Sequence, residues 1–372
     1  MEKRRRENNM TGRKLLIGVL TYRNGAFIAG KTYLTRLALV AETYGCELVV
    51  YSPADICEEK NIVRGFAYDK KEKKWEAKKT RTPDIVYDRF SNMTPEIFKK
   101  YAAYRNKSRL VYLNSRFAHK WNAHQFFSGH SDIAPHLPET MRVQQGALGK
   151  LIRKYPVLYA KPVNGSGGKG IIRIQRKHEI FEMVGRDKTG CIIRNTIRSL
   201  PAAERYLLLW CQRQGRTFIL QQGLDLALLP GFICDSRVLV QKNEVGQWII
   251  TGIVGKQSPQ QLITSNLQSG GRAIPIKNLL TLRFSPEETE SILQGIKQVS
   301  LLLPQHIESK FGSFIEFGID IGIDTKGQIW IIEVNTKPNR ELFRLAGLIE
   351  TYKKAVEMPI RAAIHQISSP YL

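Results

Sequence analysis

Three oxygen-bearing side chains near the C-terminus have the types and spacing to hold a hard cation. The segment FGIDIGIDTKGQIWIIEVNTKPN places Asp320 on one expected strand and Glu333 and Asn335 on the next, with a turn at Thr325–Gly327 between them. Residues i and i+2 of a strand project from one face, so Glu333 and Asn335 point together, and the turn brings Asp320 alongside. No Cys or His joins the group. Carboxylate and amide oxygens of this kind suit Mg²⁺ and the phosphates it accompanies, with Mn²⁺ as the alternative. Glu333 also interrupts an apolar run, Ile329 to Val334, where a carboxylate is costly to bury without a cation.

Two glycine-rich lysine segments could face those phosphates. Gly25-Ala26-Phe27-Ile28-Ala29-Gly30-Lys31-Thr32 matches the pattern of a phosphate-binding loop between a strand and a helix. Against it, Phe27 and Ile28 would crowd a loop whose backbone must approach phosphate, and Asp88 is the nearest carboxylate for an accompanying metal. The alternative is an ordinary loop running into a helix with a solvated Lys31. The second segment, Tyr159-Ala160-Lys161-Pro162-Val163-Asn164-Gly165-Ser166-Gly167-Gly168-Lys169-Gly170, lies between two expected strands. Its glycines permit positive φ and close approach of backbone to an anion. A strand-end lysine, a glycine loop and the distal oxygen cluster together make this the stronger candidate.

The elements that must position these groups follow from the patterning. The chain has 372 residues, 42% hydrophobic and 24% charged, which excludes global disorder and suggests two or three domains. Residues 1–14 read as a basic tail. Strand 15–22, helix 32–45 ending at Gly45, and strand 46–52 form a β-α-β start to an open sheet. Residues 62–81 read as a hairpin with a basic tip, followed by strands at 83–90 and 109–114 around a helix at 95–105. A domain boundary is expected near 115. Beyond it come helices at 119–128 and 144–155, strands at 157–162, 171–177 and 217–223, and a helix at 200–214. A hairpin of 237–243 with 247–257, a helix at 286–311, the strand pair carrying the oxygen cluster, and closing helices complete the chain.

Lys plus Arg number 57 against 33 Asp plus Glu, a formal net charge of +24. Such an excess suits a polyanion, an anionic surface or a nucleotide. No reading helix, RNP aromatics or zinc motif supports specific nucleic-acid recognition. No apolar run approaches the roughly 20 residues of a membrane span, and no signal peptide precedes Leu15. The scattered Cys46, Cys57, Cys191, Cys211 and Cys234 make neither a disulfide framework nor a thiolate zinc site, consistent with folding in a reducing cell. His119, His124, His130 and His136 have no zinc-helix spacing and read as surface or packing residues.

The pairing of YAKPVNGSGGKGI with D-x12-E-V-N resembles the ATP-grasp superfamily of carboxylate–amine and carboxylate–thiol ligases, over about residues 116–372. GVLT, PDIVYDR, DSRVLVQ and GIDIGID make the layout similar to the YheC/YheD endospore coat-associated family of spore-forming bacteria. The resemblance implies an α/β (α+β) chain: an N-terminal open-sheet pre-ATP-grasp-like domain at 15–115, then a two-lobed ATP-grasp domain with lobes at about 116–222 and 223–372. It implies that Lys161 and Lys120 hold phosphate, and that Gly165, Ser166, Gly167, Gly168 and Gly170 cover the β- and γ-phosphates with Lys169 nearby. Gln221, Gln222 and Gly223 become the hinge beside adenine. Arg237, Lys256, Asn266 and Arg272 become the groups around the transferring phosphate and acceptor carboxylate. Asp320, Glu333 and Asn335 become ligands to two Mg²⁺ ions.

The implied activity is an ATP- and Mg²⁺-dependent ligation of an unidentified carboxylate and amine through an acyl phosphate. The alternative is a catalytically silent or nucleotide-regulated spore-coat assembly protein. Either implies synthesis in the cytoplasm and association with the endospore coat. The basic hairpin and tail would then face acidic coat components.

Overall fold

A computed structural model describes residues 13–91, 94–117, 119–165, 169–187, 189–258 and 271–368. Ser166, Gly167, Gly168, Asn266 and most of the basic tail lie outside the described residues. Three large sheets follow one another along the chain. In the first, strand Leu16–Leu20 is central, buried at every residue, and flanked in parallel by Glu47–Tyr51 and Ile85–Asp88. A continuous apolar run is what a parallel strand covered on both faces requires. Helix Lys31–Thr43 makes the first crossover, starting after Gly30, whose φ of 75° is left-handed.

The Gly25–Thr32 segment forms no phosphate cradle. Arg23–Asn24 pairs with Phe27–Ile28 as a small hairpin with Phe27 exposed. Asp88, the carboxylate expected to accompany it, is buried against Lys337 and Arg105. The basic hairpin forms as expected, Ile62–Asp69 pairing with Lys74–Thr80. Residues 109–114 do not make a full strand. Val86 donates to the Val111 carbonyl and accepts from Leu113 N–H, then Asn114 turns away so that its Oδ1 accepts from Ile315 N–H.

The second sheet is antiparallel and contains three strands that the sequence pattern did not suggest: Thr140–Arg142 at one edge, and the pair Ile180–Arg186 and Ile192–Ile197 at the other. Asp187 closes the turn within that pair by accepting from the N–H groups of Thr189, Gly190 and Cys191. Helix Leu200–Gln214 lies over this sheet, N-capped by Ser199 and stopped by left-handed Gly215.

The third sheet is also antiparallel, in the order Arg272–Pro275, Trp248–Gln257, Cys234–Lys242, Glu316–Ile323, Ile329–Asn335. Its Phe317, Ile319, Ile321 and Val238 pack on helix Pro286–Phe311. That helix begins with a capping box between Ser285 and Glu288. The C-terminal helix Ile349–Ser368 shares one core with the first sheet, where Val356, Ile360 and Ala363 meet Leu34 and Leu37. The first sheet with its crossover helix and helix Ile349–Ser368 are thus packed together.

A buried polar network reinforces that junction. Glu316 accepts from Tyr87 Oη at 2.5 Å and from Gln241 Nε2 at 3.0 Å, and pairs with Arg340. Arg340 also donates to Tyr87 and to the Ala355 carbonyl. Among the described residues no helix is long and apolar enough to cross a membrane. All five cysteines are free, and burial pushes the Cys46 and Cys234 thiols up to about 11 and Cys211 to about 12.

Candidate functional site

The oxygen cluster owes its orientation to a break in strand alternation. Asp320 follows the simple pattern: Phe317, Ile319 and Ile321 enter the core below the third sheet, so Asp320 projects from the opposite face. Glu333 has the parity of Ile329 and Ile331, both in that core, and regular alternation would bury it there. A bulge opposite Asp320 and Ile321 places Ile332 out of register. Beyond it Val334, rather than Glu333, packs on the core. The extra residue therefore turns Glu333 and Asn335 to the face that carries Asp320.

Cations meet these oxygens from three directions. Arg237 lies opposite Asp320 in the register and donates Nε to Oδ1 at 2.9 Å and Nη2 to Oδ2 at 3.0 Å. Lys256 Nζ reaches Asp320 Oδ1 at 2.8 Å and Asp235 Oδ1 at 2.7 Å. Asn335 Nδ2 donates to Asp320 Oδ2 at 3.3 Å. Burial alone would raise the Asp320 pKa, but Arg237 and Lys256 outweigh it and hold the carboxyl well below the usual range. The cation that Glu333 requires is Lys120, at 2.8 Å. Lys120 begins helix Lys120–Ser128 and also donates to the Gly165 carbonyl at 2.8 Å, joining the glycine loop to the third sheet.

The second sheet supplies the facing wall. Tyr159 is opposite Gln221, and Lys161, two residues on, shares their face. Lys161 Nζ donates to Gln221 Oε1 at 2.7 Å and lies 5.6 Å from the centroid of the Tyr159 ring. Gln221 in turn donates to Thr140 Oγ1 at 3.0 Å. Enclosure lowers the Lys161 pKa to about 8, the nearby Lys120 adding to burial while Glu333 opposes it. Gly223 N–H donates to the Val157 carbonyl, and a Cβ at Gly223 would come within 2.6 Å of that oxygen. Only glycine fits this close approach.

These walls enclose a cleft of about 1190 Å³ between the second and third sheets. Lys120, Lys161, Gly165, Lys169, Gln221, Gln222, Gly223, Arg237, Lys256, Asp320, Glu333 and Asn335 all line it. Gly170 follows with a φ of 75°. Arg272 is not brought in: it is exposed at the start of the edge strand, opposite Gln257. Asp235 and Lys337 have no role assigned from sequence, although Asp235 opens DSRVLVQ and Lys337 closely follows Glu333 and Asn335. Asp235 holds Lys256, and Lys337 lines the cleft while donating to Asp88 at 2.9 Å and to the Phe90 carbonyl at 2.7 Å.

The sequence profile described as YheC/D-like ATP-grasp matches residues 109–365, more than half of the chain. The chain belongs to the YheC/D-like ATP-grasp family. It is 29% identical over 322 residues to the endospore coat-associated protein YheD of Bacillus subtilis (strain 168), covering 84% of this chain and 68% of that protein. Identity to YheC of the same organism is 24% over 324 residues, covering 83% and 85%.

Solved structures agree on the fold. D-cycloserine synthetase DcsG superposes with a TM-score of 0.56 at 12% identity, covering 93% of this chain and 99% of the other. The Coxiella burnetii D-alanine–D-alanine ligase gives 0.52 at 12%, covering 95% and 96%. The Chryseobacterium gregarium RiPP-associated ATP-grasp ligase gives 0.51 at 11%, covering 96% and 98%.

The donor set of this family member fits a hard divalent cation: two carboxylates and an amide on adjacent strands, without sulfur or imidazole. Glu333 is the more accessible carboxylate, its side chain 31% exposed against 9% for Asp320.

Proposed function

We propose that this chain is an ATP- and Mg²⁺-dependent ligase of the carboxylate–amine type that works through an acyl phosphate and acts in association with the endospore coat. The observation that carries the reading is one cleft in which four cations, Lys120, Lys161, Arg237 and Lys256, face Asp320, Glu333 and Asn335. On this reading residues 15–115 form the N-terminal domain, and 116–372 form the ATP-grasp unit around the cleft. The coat association is supported by the names of YheC and YheD.

Asp320, Glu333 and Asn335 would hold Mg²⁺, which would supply neutralisation of the triphosphate charge. For that to happen, Lys120 must release Glu333 and some of the bonds to Asp320 must open. The freed cations then have phosphate oxygens as replacement partners, so the protein exchanges internal ion pairs for ligand ones. Lys161 and Lys120 bind phosphate, and the glycine loop shields it from water. Backbone at Gln221–Gly223 receives the adenine edge. Arg237 and Lys256 orient the γ-phosphate as a substrate carboxylate oxygen attacks phosphorus and the bond to the β-phosphate oxygen breaks, releasing ADP. An amine then attacks the acyl carbon, inorganic phosphate leaves and the amine gives up a proton. No enzyme nucleophile is needed, and positioning and fixed charge provide the catalysis.

The test is hydroxylamine trapping across a panel of carboxylic acids with ATP and Mg²⁺. ATP-dependent hydroxamate with stoichiometric ADP is expected for one class of acid. ATP binding without ADP or hydroxamate would replace this reading with that of a nucleotide-regulated coat-assembly protein.

A further inference from the structure

Away from the cleft, three side chains with no regular sequence spacing meet on the surface. His130 and Asp132 follow helix Lys120–Ser128, and His306 lies within helix Pro286–Phe311. Their candidate donor atoms all lie within 4.8 Å of one another. His306 Nε2 is 3.0 Å from Asp132 Oδ2, and the two imidazole centroids are 4.1 Å apart. The His130 ring stands edge-on to Phe126 at 4.8 Å, and Phe126 packs edge-on against Phe311 at 5.2 Å. Aromatic packing therefore orients one imidazole, and the carboxylate engages the other.

We propose that His130, Asp132 and His306 bind one divalent transition-metal ion of the zinc class, with water completing its coordination. Two imidazoles and a carboxylate suit Zn²⁺, Co²⁺ or Ni²⁺, whereas the all-oxygen cleft suits Mg²⁺. Tetrahedral zinc with bonds of about 2.0–2.1 Å separates its donors by roughly 3.4 Å. The three side chains need only modest rotation to contract from 4.8 Å, and exposed Asp132 has room to move. The ion staples the far end of the helix that begins with Lys120 to helix Pro286–Phe311. It does not depend on the ligase reading.

The test uses the full chain without an affinity tag and the metal alone. Calorimetry with Zn²⁺ should give one site, and Co²⁺ should develop the visible bands of low-coordinate N/O ligation. His130→Ala and His306→Ala, checked for folding by circular dichroism, should each weaken Zn²⁺ binding by roughly tenfold or more. X-ray absorption on the zinc-loaded natural chain should show two imidazole nitrogens and no sulfur. That measurement decides the question even if a variant misfolds. Failure to bind Zn²⁺, unchanged binding in folded variants, or sulfur in the shell overturns the proposal.

Discussion

Arg237 and Asp320 face each other on neighbouring antiparallel strands and share two hydrogen bonds of 2.9 and 3.0 Å. The pair fixes a guanidinium plane beside the oxygen cluster, and Lys256 completes it from the next strand. Gly318 makes the arrangement sterically possible. A Cβ there would lie 2.7 Å from Pro338 Cβ and 3.1 Å from Arg237 Nη1. Gly318→Ala is therefore expected to lower stability by about 1–3 kcal/mol through overpacking, and to weaken ATP binding as Arg237 shifts. Urea unfolding and nucleotide calorimetry on the same variant measure the two effects.

Glu333→Gln keeps the shape of the side chain and removes its charge. The fold should survive, because Glu333 is partly exposed and its pairing with Lys120 spans the cleft surface. ATP affinity in Mg²⁺ should fall at least about tenfold, equivalent to 1.4 kcal/mol, while affinity in chelator changes little. Normal Mg²⁺-dependent binding by this variant would remove Glu333 from the metal site.

Lys161 gives the cleft a pH dependence with a definite sign. Burial, aided by Lys120, brings its pKa from 10.5 down to about 8, so the folded chain loses this charge as pH rises through about 8. A bound phosphate favours the charged form, so ATP affinity should decline above that pH as binding becomes coupled to proton uptake. Lys161→Arg should flatten the decline, because guanidinium stays charged. In the window from about 8 to 10.5 the unfolded chain holds more protons at this residue. Its contribution to stability therefore rises with pH there.

Arg340 neutralises Glu316 at the junction of the first sheet and helix Ile349–Ser368. Arg340→Ala leaves a buried carboxylate short of its main counter-charge and should cost about 3–5 kcal/mol. Adding Glu316→Gln should recover part of that loss. A double-mutant cycle by chemical denaturation reads the coupling.

The basic hairpin lies in the first sheet, and none of its residues lines the cleft. Replacing residues 70–73 with Asn-Gly, which favours a tight two-residue turn, removes Lys70, Lys71 and Lys73. ATP affinity should stay within about twofold, while retention on an acidic polymer column moves to lower salt as counterion-linked contacts are lost. A parallel loss of ATP affinity would show that the hairpin and cleft are not separable.

Much of this protein was decided by its local sequence. The strand-end position of Lys161 and the placing of Asp320, Glu333 and Asn335 on two neighbouring strands were legible because strand patterning and turn chemistry act over a few residues. The basic hairpin and the capped helix Pro286–Phe311 were legible for the same reason. Only the tertiary structure decided the rest. Regular alternation would send Glu333 into the core with Ile331, and the bulge at Ile332 turns it out. A bulge depends on the partner strand's register and leaves no residue signature of its own. Strands Ile180–Arg186 and Ile192–Ile197 likewise gained their identity from pairing within the second sheet. Lys120 with Glu333, Lys161 with Gln221, Arg340 with Glu316 and His130 with His306 are partners across long separations. Their chemistry was written in the residue types, but long-range packing chose the pairs, because a charge or an imidazole acts on what lies within a few ångströms of it.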